Sequence, residues 1–183
     1  MKGNQRIALT KRLLQEALLR ILKTKPLDKI NVTELCGESG INRATFYRHY
    51  SIPRDVLMDM QMQFVAEIHE SLDMAAIIDD PTAYLVQLCT YLCDHSDLIK
   101  IFIRNNSEDD IVYLCNEVFQ NFLKQNQNLY LSRQFDDIEL KLITVYMAGG
   151  GYFMLRQWLM EDIEKSPEEI AHLVLTFLTG PTV

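Results

Sequence analysis

Asn31 to Tyr50, NVTELCGESGINRATFYRHY, reads as two short helices joined by a tight turn. Asn31 is placed to N-cap the first, and Glu34 stands three residues on, as in a capping box. Val32, Leu35 and Cys36 give that helix an apolar face. Gly40 falls where the chain must turn sharply, at a position whose positive φ suits glycine, and Ile41 follows as a buried plug. Asn42 opens a second helix whose outward positions are Arg43, Ala44, Thr45, Tyr47, Arg48 and His49, with Phe46 facing inward. No carboxylate occurs from Asn42 to Ser51. The outer face therefore offers cationic and neutral donors, a methyl group and an aromatic hydroxyl, which suit base edges and phosphates in a major groove.

The charge distribution agrees. Residues 1–54 hold 11 Lys and Arg against 4 Asp and Glu, whereas residues 55–183 hold 7 against 21, within a net charge of −7. A basic head on an acidic body is the electrostatic footprint of a nucleic-acid-binding module joined to a part held off the duplex. A cytoplasmic chain is expected, because the opening MKGNQRIALTKRLL has no apolar core or cleavage site of a signal peptide. The uncharged run Leu142–Leu155, at 14 residues with three glycines, is too short to span a bilayer. Cys36, Cys89, Cys93 and Cys115 follow no zinc spacing and are expected to be reduced, semi-buried small apolar residues.

Periodicity predicts an all-α chain of about nine helices. A first helix from Arg6 to Lys23 turns Leu14, Ala17, Leu18, Ile21 and Leu22 to one side and leaves Lys11, Arg12, Arg20 and Lys23 outside. It ends at Lys25-Pro26. After the two helices of the opening stretch, Pro53 starts a long helix to about Ala76, with an apolar stripe of Leu57, Met60, Gln61, Phe64, Ile68 and Leu72. Further helices are expected over Pro81–Asp94, Asp97–Arg104 (capped by Ser96), Ser107–Gln125 and Asp136–Met160. The last begins at Ser166-Pro167-Glu168-Glu169, a cap followed by Pro and two acids in the first turn. Gly149-Gly150-Gly151, inside the eighth helix, predicts a bend or a close helix approach, since each glycine costs about 1 kcal/mol there. Residues 1–52 are expected to form the three-helix binding head and residues 53–183 the body.

The helix-opening NVTEL, the turn Gly40-Ile41 and the run Ala44-Thr45-Phe46-Tyr47-Arg48-His49-Tyr50 before a new helix at Pro53 closely resemble the helix-turn-helix of the TetR (tetracycline-repressor) family. The segment from Ala148 through Phe177 resembles C-terminal domains of Gram-positive members more loosely, including regulators of dihydroxyacetone kinase operons. The resemblance implies a homodimeric repressor that binds a palindromic double-stranded DNA operator and is released by a small effector. It implies DNA contacts from Thr33, Asn42, Arg43, Ala44, Thr45, Tyr47, Arg48 and His49, with Tyr47 on phosphate, Arg43 on a base, and Arg54 where the family often has a phosphate-binding Lys.

The family also holds an effector pocket in the body. Here its candidate lining is Phe64, Tyr84, Leu88, Tyr91, Phe102, Phe119, Phe122, Tyr146 and Met147, and eight Met and eight Phe in the chain suit a small apolar or amphipathic ligand. The last two helices carry more apolar surface than one bundle face needs, so a second copy is expected over Leu142, Trp158, Ile170, Leu173, Val174 and Phe177. An alternative is a protein partner, a co-activator or anti-repressor, docking on the body in place of a small ligand. No catalytic constellation, cofactor motif or metal-ligand set is evident. His49 belongs to the DNA face, and His69, His95 and His172 stand on separate helices.

Overall fold

The computed structural model describes residues 2–72, 80–105, 116, 136–161 and 163–179. These are helical, with no strand among them. The elements are α1 (Lys2–Leu22), a 3-10 turn (Leu27–Lys29), α2 (Val32–Ser39), α3 (Arg43–Phe46), α4 (Pro53–Ser71), α5 (Pro81–Asp94), α6 (Ser96–Asn105), α7 (Asp137–Met160) and α8 (Pro167–Thr179). The expected helix over Ser107–Gln125 lies outside the described residues. The chain divides into two compact units, Met1–Phe64 and Val65–Val183, so the division falls within α4.

In the first unit α1 packs on α2 and α2 on α3. The core holds Leu14, Ala17, Leu18, Leu35, Phe46, Val56 and Leu57, all with no exposed surface. Full burial of one such large aliphatic or aromatic side chain contributes about 1.5–3 kcal/mol. The expected stripe from Leu57 to Leu72 is buried, Gln61 included, with its last two members, Ile68 and Leu72, in the second unit. α1 starts earlier than its periodicity predicts, at Lys2, and residues 4–9 are exposed all round, so no apolar face marks that first stretch.

In the second unit α5 packs along α8 and against α6, and α6 meets α7. Three of its helix starts carry side-chain caps, whereas α6 begins at Ser96, the residue expected to cap it. Asp80 caps α5 by accepting from the Thr82 and Ala83 amides, both at 3.0 Å. Asp136 accepts from the Ile138 and Glu139 amides while Glu139 returns a carboxylate to the Asp136 amide, a complete capping box. At α8 the Ser166 amide donates to Glu169 (2.9 Å), whose own amide donates to Ser166 Oγ (3.3 Å).

α7 continues unbroken from Asp137 to Met160, and a Cβ at Gly149 or Gly150 would meet nothing within 4 Å. At Gly149 and Gly150 no described residue makes the close approach that a glycine permits.

Candidate nucleic-acid interface

The opening stretch folds as a helix-turn-helix whose local geometry is set by its own polar side chains. Asn31 Oδ1 accepts from the Glu34 amide (3.0 Å), fixing the start of α2. The Glu34 carboxylate does not return the bond; it pairs instead with Lys25, which closes the chain end of α1 onto α2. Gly40 ends α2 at φ 71°, ψ 8°, a left-handed conformation that costs an L-residue about 1–2 kcal/mol. Ser39 Oγ then accepts from the Ile41 amide (3.3 Å) inside the turn. Asn42 repeats the cap for α3, accepting from the Thr45 amide at 2.8 Å.

α3 proper is shorter than the sequence suggests. It holds Arg43–Phe46, and the chain then tightens, with the Arg48 amide bonding Thr45 O (3.3 Å) and the His49 amide bonding Phe46 O (2.9 Å). The segment cannot continue as helix into α4, because Ile52 precedes Pro53 and is pushed out of the α region. Asp55 Oδ2 takes up the freed amides of Ser51 (2.7 Å) and Ile52 (3.1 Å) at the start of α4.

Thr33, Asn42, Arg43, Ala44, Tyr47, Arg48 and Arg54 are exposed, and Thr45 and His49 half-buried. Phe46 is fully buried beneath them and meets the Tyr47 ring edge-on at 5.5 Å. The Arg43 guanidinium lies 5.9 Å from the Tyr47 ring centroid, so these two outward groups share one patch. Arg43 also lies near Cys36, whose thiol burial pushes up and the Arg43 charge partly draws back.

A group that sequence reasoning passed over sits behind this patch. Asp59 of α4 accepts from Tyr50 Oη (2.6 Å), from Lys11 Nζ at both oxygens (3.0 and 3.1 Å), from Gln63 Nε2 (3.1 Å) and from Gln15 Nε2 (3.4 Å). Burial, then the bond and charge of Asp59, raise Tyr50 far above its ordinary value, so its hydroxyl stays protonated. Lys11, read from the sequence as a free surface cation, is half-buried and neutralised. Nothing local signals this, since the partners stand 48 residues apart.

The body residues separate by burial. Tyr84 and Phe102 are buried in the second unit, Leu88, Tyr91 and Met147 half-buried, and Phe64 buried in the first unit; Phe119 and Phe122 lie outside the described residues. Tyr91 stacks on His95 at 4.2 Å, and its hydroxyl is raised by burial and by Glu67, to which it bonds. Tyr146 joins no interior. It is 81 % exposed, because it falls on the outer side of α7 with Ile138, Leu142, Val145 and Phe153. Trp158, Ile170 and Val174, expected on a surface for a second copy, are buried within the chain's own fold, and Trp158 Nε1 donates to Lys165 O (3.0 Å). Leu142, Leu173 and Phe177 are exposed.

Comparison with known proteins bears on both units. Residues 79–180 match the family model of a TetR-type transcriptional regulator C-terminal region. An uncharacterized HTH-type transcriptional regulator of Bacillus subtilis (strain 168), YxbF, is 27% identical over 183 residues, covering 96% of this chain and 46% of the relative. The chain thus spans about half the length of that curated relative. Among solved structures, a TetR transcriptional regulator from Streptococcus agalactiae 2603V superposes with TM-score 0.75 at 18% identity, covering 98% of each chain. The dihydroxyacetone kinase operon activator DhaS superposes with TM-score 0.61 at 18% identity, covering 92% of this chain and 93% of its own. Among the described residues no helix is long and apolar enough to cross a membrane, and no group of three or more His, Cys, Asp or Glu stands ready for a metal ion.

Proposed function

This chain belongs to the TetR family of transcriptional regulators, and from that premise we propose that it binds a palindromic operator as a homodimer and represses until a small apolar or amphipathic effector releases it. The observation that carries the DNA reading is the face of α3 and the turn after it. Arg43, Ala44, Tyr47 and Arg48 are exposed on a helix-turn-helix capped at both helix starts, with no acid from Asn42 to Ser51. Arg43 offers two donors to one base edge, while Tyr47, Thr33 and Arg54 suit phosphate. A face without carboxylates beside a net acidic chain is otherwise hard to account for.

The dimer reading is supported by the outer side of α7. Ile138, Leu142, Val145, Tyr146 and Phe153 are more than half exposed, and Leu173 and Phe177 of α8 are also exposed. The α7 residues fall on one side of their helix, and such an apolar face on one chain marks a partner surface; a self-complementary face favours a second copy. For the effector, Tyr84, Leu88, Tyr91, Phe102 and Met147 of the second unit are the residues proposed to meet it. A protein docking on α7 in place of a second copy is the competing reading. DhaS, which shares the fold, is an operon activator, so the sign of regulation is read separately from DNA binding.

The test is selection of a binding site from a random duplex library by the full chain, followed by a reporter carrying that site. A palindrome selected, bound by two chains and silencing the reporter, supports the reading. Sequence-blind binding, or binding by single chains with undiminished affinity, overturns it.

A further inference from the structure

We infer that Asp59 is a positioning residue for DNA recognition, tying the end of the reading segment at Tyr50 to α1 and α4 while cancelling the charge of Lys11. The inference rests on the DNA-binding reading above. Every residue in it lies in the Met1–Phe64 unit.

α3 has four residues, too few for its own hydrogen bonds to hold it rigid. Its attitude is therefore set by tertiary anchors. One is Phe46, buried at its C-terminal end. The other is Tyr50, which is 7% exposed and directly follows Arg48 and His49 of the outer face. The Tyr50 ring lies under the Lys11 ammonium (5.6 Å to the centroid) and its hydroxyl bonds Asp59 at 2.6 Å. Of the four side chains that donate to Asp59, only Gln63 belongs to the same helix; Lys11 and Gln15 come from α1 and Tyr50 from the end of the reading segment.

A carboxylate in this place runs against affinity. It repels phosphate and cancels one of the 11 cations of residues 1–54. Its chemistry suits holding the segment that meets the groove, and keeping Lys11 from adding a sequence-blind attraction.

The experiment compares Tyr50→Phe, Asp59→Asn and the double variant of the full chain on two duplexes across a salt series. One is the duplex that the wild-type chain selects from a random library; the other is a scrambled duplex of equal length. Melting is followed alongside. Tyr50→Phe keeps the ring and the fold, and is expected to weaken the selected duplex by about tenfold, the scale of one hydrogen bond to a charged acceptor, with little change on the scrambled one. Asp59→Asn is expected to weaken the selected duplex yet strengthen the scrambled one, with a steeper salt dependence because the Lys11 ammonium is no longer offset by a carboxylate. The double variant should lose less than the product of the two single losses, since both act through one contact. A role in stability alone predicts parallel losses on both duplexes that track melting, and that result, or unchanged affinity for the selected duplex, overturns the inference. A wild-type chain that selects no sequence removes the DNA-binding premise and the inference with it.

Discussion

Arg43 and Tyr47 share one exposed patch but offer it different chemistry. The Tyr47 hydroxyl is a single donor suited to a phosphate oxygen, which carries no sequence information. Arg43 has a planar fork that matches one base edge at two points. Tyr47→Phe should therefore weaken all sequences about equally. Arg43→Ala should relax discrimination at one base pair by roughly 1–3 kcal/mol. Binding curves on the selected operator and on single-base variants of it separate the two; uniform losses for both would remove Arg43 as a reader. Gly40 is a residue-scale constraint of another kind. Its φ of 71° lies in the left-handed region, and a Cβ there would meet nothing within 4 Å. Gly40→Ala should then cost about 1–2 kcal/mol from backbone conformation alone, seen as a lower melting midpoint with the fold unchanged. A loss well beyond that would mean that the turn is packed against something.

At the scale of the element, the helix starts are set by short polar signals whose energetics can be tested singly. Asp136→Ala removes a complete capping box and should destabilise α7 by about 1 kcal/mol, measurable as a shifted denaturation midpoint. At α8, Glu169 is held below its ordinary value of 4.5 by bonds from Lys165 and the Ser166 amide, and Glu168 by a bond from the Ser166 side chain. For a carboxylate depressed in the folded state, the stabilisation is fully present above the unfolded value and is lost as pH falls through the folded one. The first turn of α8 should thus keep its protection near neutrality and fray as the solution is taken down through and below pH 4.5. Amide exchange at Ile170 and Ala171 reads this. Protection that stays constant through that range would show that burial of Ile170 and Ala171, not the cap, holds the helix start.

For the whole molecule, the proposed dimer and its salt response follow from charge and exposed surface. Phe177 is 78% exposed and Leu173 39%. Phe177→Asp or Leu173→Asp should leave the single chain folded and yield monomers in sedimentation, because a carboxylate buried in an apolar seam is costly unless the seam opens. A folded variant that stays dimeric would exclude α8 from the interface. Arg6, Arg43, Arg48 and Arg54 make no salt bridge among the described residues, whereas Lys11, Arg20 and Lys25 are paired with Asp59, Glu38 and Glu34. With about four phosphates met by each copy and about eight by a dimer, log affinity should fall with log salt at a slope of roughly −7. Two heads on one face of the duplex require half-sites about 34–36 Å apart, or somewhat more. A half-site bound as tightly as the palindrome would argue against two coupled heads.

The helical class, the caps at Asn31 and Ser166, the helix starts at Asn42, Pro81 and Asp136, and the turn at Gly40 were legible in the sequence. Each of these depends on residues within about four positions of one another, where propensity, capping and the helical period act directly. Other features depend on distant partners. Lys11 and Asp59, 48 residues apart, become one ion pair, and Tyr50 becomes its third member. Trp158, Ile170 and Val174 turn inward while Tyr146 turns out. A stripe of apolar residues states that a helix has a face to cover, but which neighbour covers it is settled by how the helices pack. The sequence alone therefore left the inside of α7 and α8 indistinguishable from their outside.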